Sequence, residues 1–285
     1  MDKMHFLAEV PSFCHADGSP DTGAVRLCIN RLIDAGYTHI AVAGLAGEYE
    51  NLTLEDQKAL ISCAVDAAAG RAEIAAGAFD AGTEKAAARI LEHEQLGCRL
   101  HLCIASHYFG LAHEDEFIRH IAALHHAGAG LLLVDSTPHT GFTLPLHALQ
   151  AASEAGTVKG FVLNVLDPRR LSALQTLGNT LAPEAAALTG CGGIRGVHSR
   201  LVFLFPTLIR RWSGLSDSVR QALLSILDSG RHPAAAVKYA AYLMELCSCP
   251  SLLPPAAGLT LDEKAAVENA VCVARAEEAR WAHGE

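Results

Sequence analysis

The sequence predicts an α/β protein in which eight parallel strands close into a (β/α)8 TIM barrel, followed by a C-terminal helical extension. Apolar, β-branched runs typical of buried parallel strands alternate with amphipathic helical patterns at intervals of roughly thirty residues. Eight strand candidates come before about residue 200, which favours a closed barrel over an open sheet. The chain has 285 residues, of which 51% are hydrophobic, so it can bury a large core.

The strand candidates are short apolar runs bounded by glycine, proline or polar residues. They span residues 8–13, 38–43, 73–79, 99–105, 130–135, 158–164, 179–182 and 193–198. Apolar residues at helical spacing predict a first helix that ends at Gly36, and further helices at 54–69, 83–97, 117–127, 144–154 and 167–177. Because the pattern is helical from about residue 214 onward, we predict a barrel over 1–213 and a helical region over 214–285.

The second strand candidate ends in a Gly-x-x-Gly-Glu turn, where we expect the binding site. The turn consists of Gly44, Leu45, Ala46, Gly47 and Glu48. Its glycines permit a close approach of the backbone, and Thr53 then caps a helix that has two acidic residues in its first turn. Barrels of this kind place their chemistry in the loops at the carboxyl ends of the strands.

Composition narrows the class of protein. A formal net charge of −9 argues against a nucleic-acid partner. No apolar run approaches the ~20 residues needed to cross a bilayer, and the first residues lack the apolar core of a signal peptide. The nine cysteines are odd in number and include no C-x-x-C pair, which is typical of reduced thiols. We therefore expect a cytoplasmic protein without a membrane partner.

Several motifs resemble those of the dihydrodipicolinate synthase / N-acetylneuraminate lyase family, the pyruvate-dependent class I aldolases. The turn at 44–48 resembles the family's Gly-Thr-Thr-Gly-Glu loop, and the segment 105–108 resembles its Thr-Pro-Tyr-Tyr segment, so that Tyr108 occupies the second tyrosine. The segment 236–241 resembles the Val-Lys segment near the family's C-terminus. The resemblance extends over nearly the whole chain, and it implies a barrel that assembles as a homodimer or a homotetramer.

The residues that carry the family's chemistry are replaced. In that family a lysine on the sixth strand forms an imine with a keto acid, and the matching position here is Val162. Lys159 lies three residues earlier, and an odd offset along a strand points to the opposite face. The fifth-strand tyrosine becomes Asp135 or Val134, depending on the alignment. The resemblance therefore implies that imine-forming chemistry has been lost.

The binding residues of the family are replaced as well. The loop threonines that hold the carboxylate of pyruvate correspond to Leu45 and Ala46, which suggests a less polar pocket. The arginine that receives the second substrate has no counterpart, and His139 lies nearest to its position.

Polar residues nevertheless follow most of the predicted strands. They are His15, Glu48, Asp80, His107, Tyr108, Asp135, Asn164 and His198. A new acid/base site would use Tyr108, Asp135 and His107. The predicted ligand contacts are the turn residues Gly44, Leu45, Ala46, Gly47 and Glu48, together with His139, Val162 and Asn164. Glu48 has an alternative role, in which it buttresses the turn by accepting hydrogen bonds from backbone N–H groups. No metal-ligand spacing occurs, so we predict neither a metal nor another cofactor.

Three functions remain open for this sequence, all with a small-molecule ligand. The first is a repurposed lyase or isomerase that acts on a small polar or keto acid-like compound. The second is a non-catalytic binding protein. The third is a conventional pyruvate-dependent aldolase that uses another lysine. If the protein is an enzyme, the resemblance implies a carbon–carbon or carbon–oxygen lyase.

Overall fold

Eight parallel strands form a closed barrel in the computed structural model, which describes residues 5–105, 114–189, 191, 193–232 and 234–282. The strands are β1 (His5–Glu9), β2 (His39–Val42), β3 (Glu73–Gly77), β4 (Leu100–Ile104), β5 (Leu131–Asp135), β6 (Gly160–Leu163), β7 (Thr180–Pro183) and β8 (Gly196–Ser199). Each strand pairs with the next one along the chain, and β8 pairs with β1 to close the barrel. The predicted fold is confirmed.

Helices follow the strands and form the outer layer. They are α1 (Thr22–Asp34), α2 (Leu54–Ala68), α3 (Thr83–Gln95), α4 (Glu114–Ala127), α5 (Thr137–Thr140), α6 (Leu146–Glu154), α7 (Pro168–Leu177), α8 (Glu184–Leu188), α9 (Pro206–Arg210), α10 (Asp217–Asp228), α11 (Ala235–Leu243) and α12 (Leu261–Ala282). The short helices α5, α8 and α9 were not predicted, because four or five residues give no periodic pattern to detect.

Two strands, β1 and β8, depart from their predicted boundaries more than the other six do. The first strand lies at His5–Glu9 and not at 8–13, because Pro11 has no N–H to continue the ladder, and the last bond to the neighbouring strand is Val10 N–H to the oxygen of Ala41. The last strand begins at Gly196 and not at 193, because Gly193 has a φ of 77° and belongs to a turn.

The barrel interior is filled by apolar side chains. Successive residues of a strand point to opposite faces, so one residue in two points inward. The buried interior cluster consists of Leu7, Ala41, Leu45, Ala75, Leu102, Val134 and Val162. The barrel is therefore a packed core and not a pore.

The C-terminal helices share a core with the barrel. Leu223 of α10 and Val267 of α12 belong to the same buried cluster as Ile29 of α1 and Phe205, which precedes α9. The division between barrel and extension at residue 213 stays a prediction. Within the described ranges, no helix combines the length and the apolar composition that a membrane span needs.

Two buried histidines stack between β4 and the helix layer. The rings of His93 and His101 lie 5.7 Å apart, with an angle of 24° between their planes. His101 Nε2 lies 3.1 Å from Glu94 Oε1, while His93 Nδ1 is buried without a hydrogen-bond partner among the described residues. Burial, followed by the neighbouring His101, lowers the pKa of His93 to about 3. His93 is therefore a neutral packing residue at physiological pH.

Replacing His93 is expected to weaken the acid sensitivity of the fold. An unfolded histidine binds its proton near pH 6.5, but folded His93 does so only near pH 3, so the unfolded state holds more protons between these values. The stability that this group contributes is complete above pH 6.5 and is lost as the pH falls, at up to about 1.4 kcal/mol per pH unit. Urea unfolding of wild type and His93→Phe between pH 7 and pH 4 measures the difference in slope. Exposed His126→Gln serves as the control, and equal slopes for wild type and His93→Phe would contradict the assignment.

Candidate functional site at the carboxyl end of the barrel

The Gly-x-x-Gly-Glu turn after β2 has the close backbone approach that the sequence predicts. A Cβ on Gly47 would lie 2.7 Å from Gly44 N, and a Cβ on Gly44 would lie 2.5 Å from Glu9 Oε1. Positive φ angles fall instead on Ala43 and Glu48, at 46° and 49°. Both glycines are therefore required for space and not for a left-handed backbone. The predicted cap on α2 is confirmed, because Thr53 accepts a hydrogen bond from Asp56 N–H at 3.2 Å.

Glu48 forms a buried ion pair with Lys238 of α11. Both side chains have no exposed surface. Lys238 Nζ also donates to the Ser251 carbonyl at 3.1 Å, and Leu253 N–H donates to Glu48 Oε1 at 2.8 Å. This last contact is with a backbone N–H outside the turn, and the ion pair ties the turn to the C-terminal part of the chain. Its contact with a ligand stays a prediction.

The predicted ligand contacts near Val162 are apolar and buried. Val162 has no exposed surface and pairs along the sheet with Val134 and Leu181. Leu45 packs into the same interior cluster. The position that the resemblance aligns with the imine-forming lysine therefore lies within the apolar filling of the barrel.

Asp135 is held by a helix on the outer side of the barrel. Its strand neighbour Val134 belongs to the interior cluster, so Asp135 points the other way, toward the helix layer. Arg170 of α7 donates Nε to Asp135 Oδ2 at 2.6 Å and donates Nη2 to the Leu144 carbonyl at 2.5 Å. The pair anchors α7 to the end of β5. The catalytic role predicted for Asp135 stays a prediction, and this placement does not favour it.

Ser136 joins two of the predicted site residues. Its Oγ lies 2.6 Å from His139 Nδ1, and Asn164 donates Nδ2–H to the same Oγ at 3.1 Å. The structure thus brings together His139 and Asn164 at the ends of β5 and β6. Besides Asp135, the residues predicted to be catalytic are His107 and Tyr108, and both lie outside the described residues.

Glu9 and His198 form a second polar pair, inside the barrel. Glu9 has no exposed surface, His198 is 4% exposed, and His198 Nε2 lies 2.7 Å from Glu9 Oε2. Ala46 N–H of the turn donates to Glu9 Oε1 at 2.7 Å. The pair therefore links the two strands that close the barrel to the turn after β2.

Glu184, which follows β7, organises the loop after β8. It is 3% exposed and accepts hydrogen bonds from Ser199 Oγ at 2.5 Å, Arg200 N–H at 2.8 Å and Leu201 N–H at 3.0 Å. Sequence reasoning missed Glu9, Ser136 and Glu184. The alternation of side chains along a strand could have indicated Glu9, because residues two positions apart, such as Leu7 and Glu9, point to the same face of the sheet. Nothing local distinguished Ser136 or Glu184.

The described residues were also compared with the ligand sets that bind metal ions in proteins. No three His, Cys, Asp or Glu side chains within it come together in an arrangement that could hold a metal ion. Histidine and carboxylate groups among the described residues at this end of the barrel can form hydrogen bonds and transfer protons.

The closed ring of eight parallel strands with helices around it defines the class of protein, a (β/α)8 barrel. The sequence profile of the Dihydrodipicolinate synthetase family matches residues 5–167, which is more than half of the chain. The chain therefore belongs to this family, as the resemblance implied.

Individual relatives agree with this assignment. The chain is 28% identical over 122 residues to the 4-hydroxy-tetrahydrodipicolinate synthase of Hyphomonas neptunium, an alignment that covers 43% of this chain and 41% of that protein. It is 37% identical over 94 residues to the enzyme of that name from Dichelobacter nodosus, which covers 33% and 32%. These alignments thus span less than half the length of the curated relatives.

The fold likeness covers almost the whole chain. The structure of the 4-hydroxy-tetrahydrodipicolinate synthase from Methylacidiphilum fumariolicum SolV superimposes with a TM-score of 0.86, covering 98% of each chain at 20% identity. At that identity the likeness establishes the fold alone.

Removing the partner of buried Glu48 is expected to destabilise the protein strongly. Lys238→Met leaves a carboxylate buried without its counter-charge, which costs about 3–5 kcal/mol. The matched control is Lys58→Met, because Lys58 pairs with Glu92 at 3.3 Å but is 34% exposed, and such pairs contribute at most about 1 kcal/mol. Chemical unfolding of both variants measures the difference. Equal losses of unfolding free energy in the two variants would contradict a structural role for the Glu48–Lys238 pair. Adding Glu48→Gln to Lys238→Met should recover part of the lost stability, because it removes the unpaired charge.

Proposed function

We propose that this member of the dihydrodipicolinate synthetase family binds a small compound at the carboxyl end of its barrel without forming an imine. The observation that carries the proposal is that a fully buried valine, Val162, stands at the position that aligns with the family's lysine. Valine has no amine, and the loop after β4, residues 106–113, contains no lysine in its sequence.

None of the lysines that the structure describes is placed to form an imine at the carboxyl end of the barrel. Lys159 lines a cavity of about 850 Å³ at the amino ends of the strands, opposite to the candidate site. Lys238 is engaged by Glu48. The remaining three lie on the outer helices: Lys58 pairs with Glu92, Lys85 is exposed on α3, and Lys264 of α12 lies over the ring of Tyr239 at 5.6 Å. An imine needs an amine close to the bound carbonyl, and none of these side chains is placed to provide one.

Acid/base chemistry on the bound compound is a second candidate, in keeping with a repurposed lyase or isomerase. The contact between Ser136 Oγ and His139 Nδ1 favours it. In the tautomer whose Nδ1 carries no proton, the serine hydroxyl donates to the imidazole while its oxygen accepts from Asn164, and this arrangement gives a path for proton transfer at the end of β5. A binding protein without turnover is the alternative.

No covalent adduct is expected when the protein is incubated with pyruvate and borohydride. Intact mass spectrometry measures the gain of one reduced pyruvate per chain, and an active aldolase of the same family, treated in parallel, provides the positive control. An adduct that maps to a lysine of this chain would overturn the proposal and restore the conventional aldolase hypothesis. An adduct on Lys159 in particular would move the site to the amino end of the barrel.

If the second candidate is correct, His139 is required for proton exchange with a bound carbonyl compound. Proton NMR in deuterated water detects exchange at the carbon next to the carbonyl for a panel of small aldehydes and ketones. Wild type and the control His126→Gln should exchange at equal rates, whereas His139→Gln should lose about 10²-fold or more. Equal exchange by His139→Gln, or its absence in wild type, contradicts a catalytic role and leaves the binding protein.

A further inference from the structure

The carboxylate of Glu9 is bound inside the barrel as a ligand would be. Leu7 belongs to the interior cluster, and Glu9, two residues further along β1, points into the same interior. Its two oxygens have separate partners, Ala46 N–H and His198 Nε2, each at 2.7 Å. With Glu9 ionised, both partners are donors, because a carboxylate can only accept.

The surroundings are shaped to this carboxylate. Gly44 has no side chain, and a Cβ there would lie 2.5 Å from Glu9 Oε1 and 3.1 Å from Leu102 Cδ1. Glu9 and Leu102 are both fully buried. Two fixed donors, a glycine that gives access to the oxygen and an apolar wall form a compact carboxylate receptor. We call this receptor, consisting of Ala46 N–H, His198, Gly44 and Leu102, the carboxylate seat.

We propose that Glu9 is a built-in carboxylate that occupies this seat, so that small carboxylic acids are excluded from the carboxyl end of the barrel. The inference deepens the proposed function, on which it rests for the location of the ligand. It assigns Glu9 as the residue that determines specificity. The compound bound there is then an uncharged one that bears hydroxyl or carbonyl groups, and it meets Ser136, His139 and Asn164.

Electrostatics supports the exclusion of acids. A second carboxylate near the seat would meet the charge of Glu9 in a low-dielectric interior, where like charges repel strongly. Three cations at neighbouring strand ends already pair with other carboxylates: Lys238 with Glu48, Arg170 with Asp135 and Arg200 with Glu184. An incoming acid that approached one of these three would have to displace an existing ion pair.

Glu9→Ala tests the proposal because it removes the atoms of one acetate ion. The truncated groups are a methylene and the carboxylate beyond Cβ, so acetate can refill the space and accept from Ala46 N–H and His198. Calorimetric titration and thermal unfolding in acetate measure the effect. Acetate should bind Glu9→Ala at least about tenfold more tightly than wild type and raise its unfolding temperature, while chloride at equal ionic strength should not.

Two controls separate the seat from a general effect of the mutation. Glu9→Gln keeps the volume of the side chain and an acceptor for Ala46 N–H, so the seat stays filled and acetate should not bind. Acetamide has the shape of acetate without its charge and should stabilise Glu9→Ala far less. The same titrations with pyruvate and glycolate on wild type should show no saturable binding.

Two results would overturn the proposed role of Glu9. A folded Glu9→Ala that binds no acetate, or a wild type that binds acetate or pyruvate as tightly as the variant, overturns the proposal. If Glu9→Ala folds in neither acetate nor chloride, the wild-type titrations still decide, because saturable binding of these acids contradicts a filled seat. Borohydride trapping tests the proposed function separately, since an imine on a lysine and an acid in the seat are different observations.

Discussion

Buried carboxylates, each matched by its own donors, hold the carboxyl-end loops of this barrel in place. An ionised carboxylate taken out of water costs several kcal/mol unless hydrogen bonds or a counter-charge replace the solvent. Four such groups occur near the strand ends in the part of the chain that the structure describes, and each joins two separate elements or loops: Glu9 with His198, Glu48 with Lys238, Asp135 with Arg170, and Glu184 with Arg200. In this arrangement of the loops, all four carboxylates have partners.

Most of the hydrogen-bonding capacity of these buried carboxylates is used by groups of the protein itself. Glu48 and Asp135 look like site residues in the sequence, yet their oxygens are used to fix the turn after β2 and helix α7. The exposed His139, with Ser136 beside it, is the contrasting case, because its side chain faces solvent at the end of β5. His139 thus differs from Glu48 and Asp135 in being exposed at this face.

The sequence predicted the barrel well because periodicity and turn residues are local signals. All eight strands were expected, and the errors at β1 and β8 came from Pro11 and Gly193, which end the ladder a few residues from the predicted limits. The site was harder to predict because its contacts are not local. Glu9 and His198 are 189 residues apart, and Lys238 and Glu48 are 190 residues apart, so no window along the chain shows either pair. The outward orientation of Asp135, by contrast, follows from simple alternation with Val134 and could have been predicted.

Two independent features support the proposal that the protein does not act on keto acids. The apolar layer around Val162 is an environment in which a lysine would be neutral, because burial disfavours the charged amine. The barrel thus keeps surroundings suited to imine formation, while the residue at the aligned position has no amine to react. Glu9 adds a second obstacle, since it takes up the Ala46 N–H in the turn that aligns with the family's carboxylate-binding loop. Restoring a lysine at position 162 would therefore not by itself restore a pyruvate site, because the acid group of the substrate would still meet an occupied donor and a like charge.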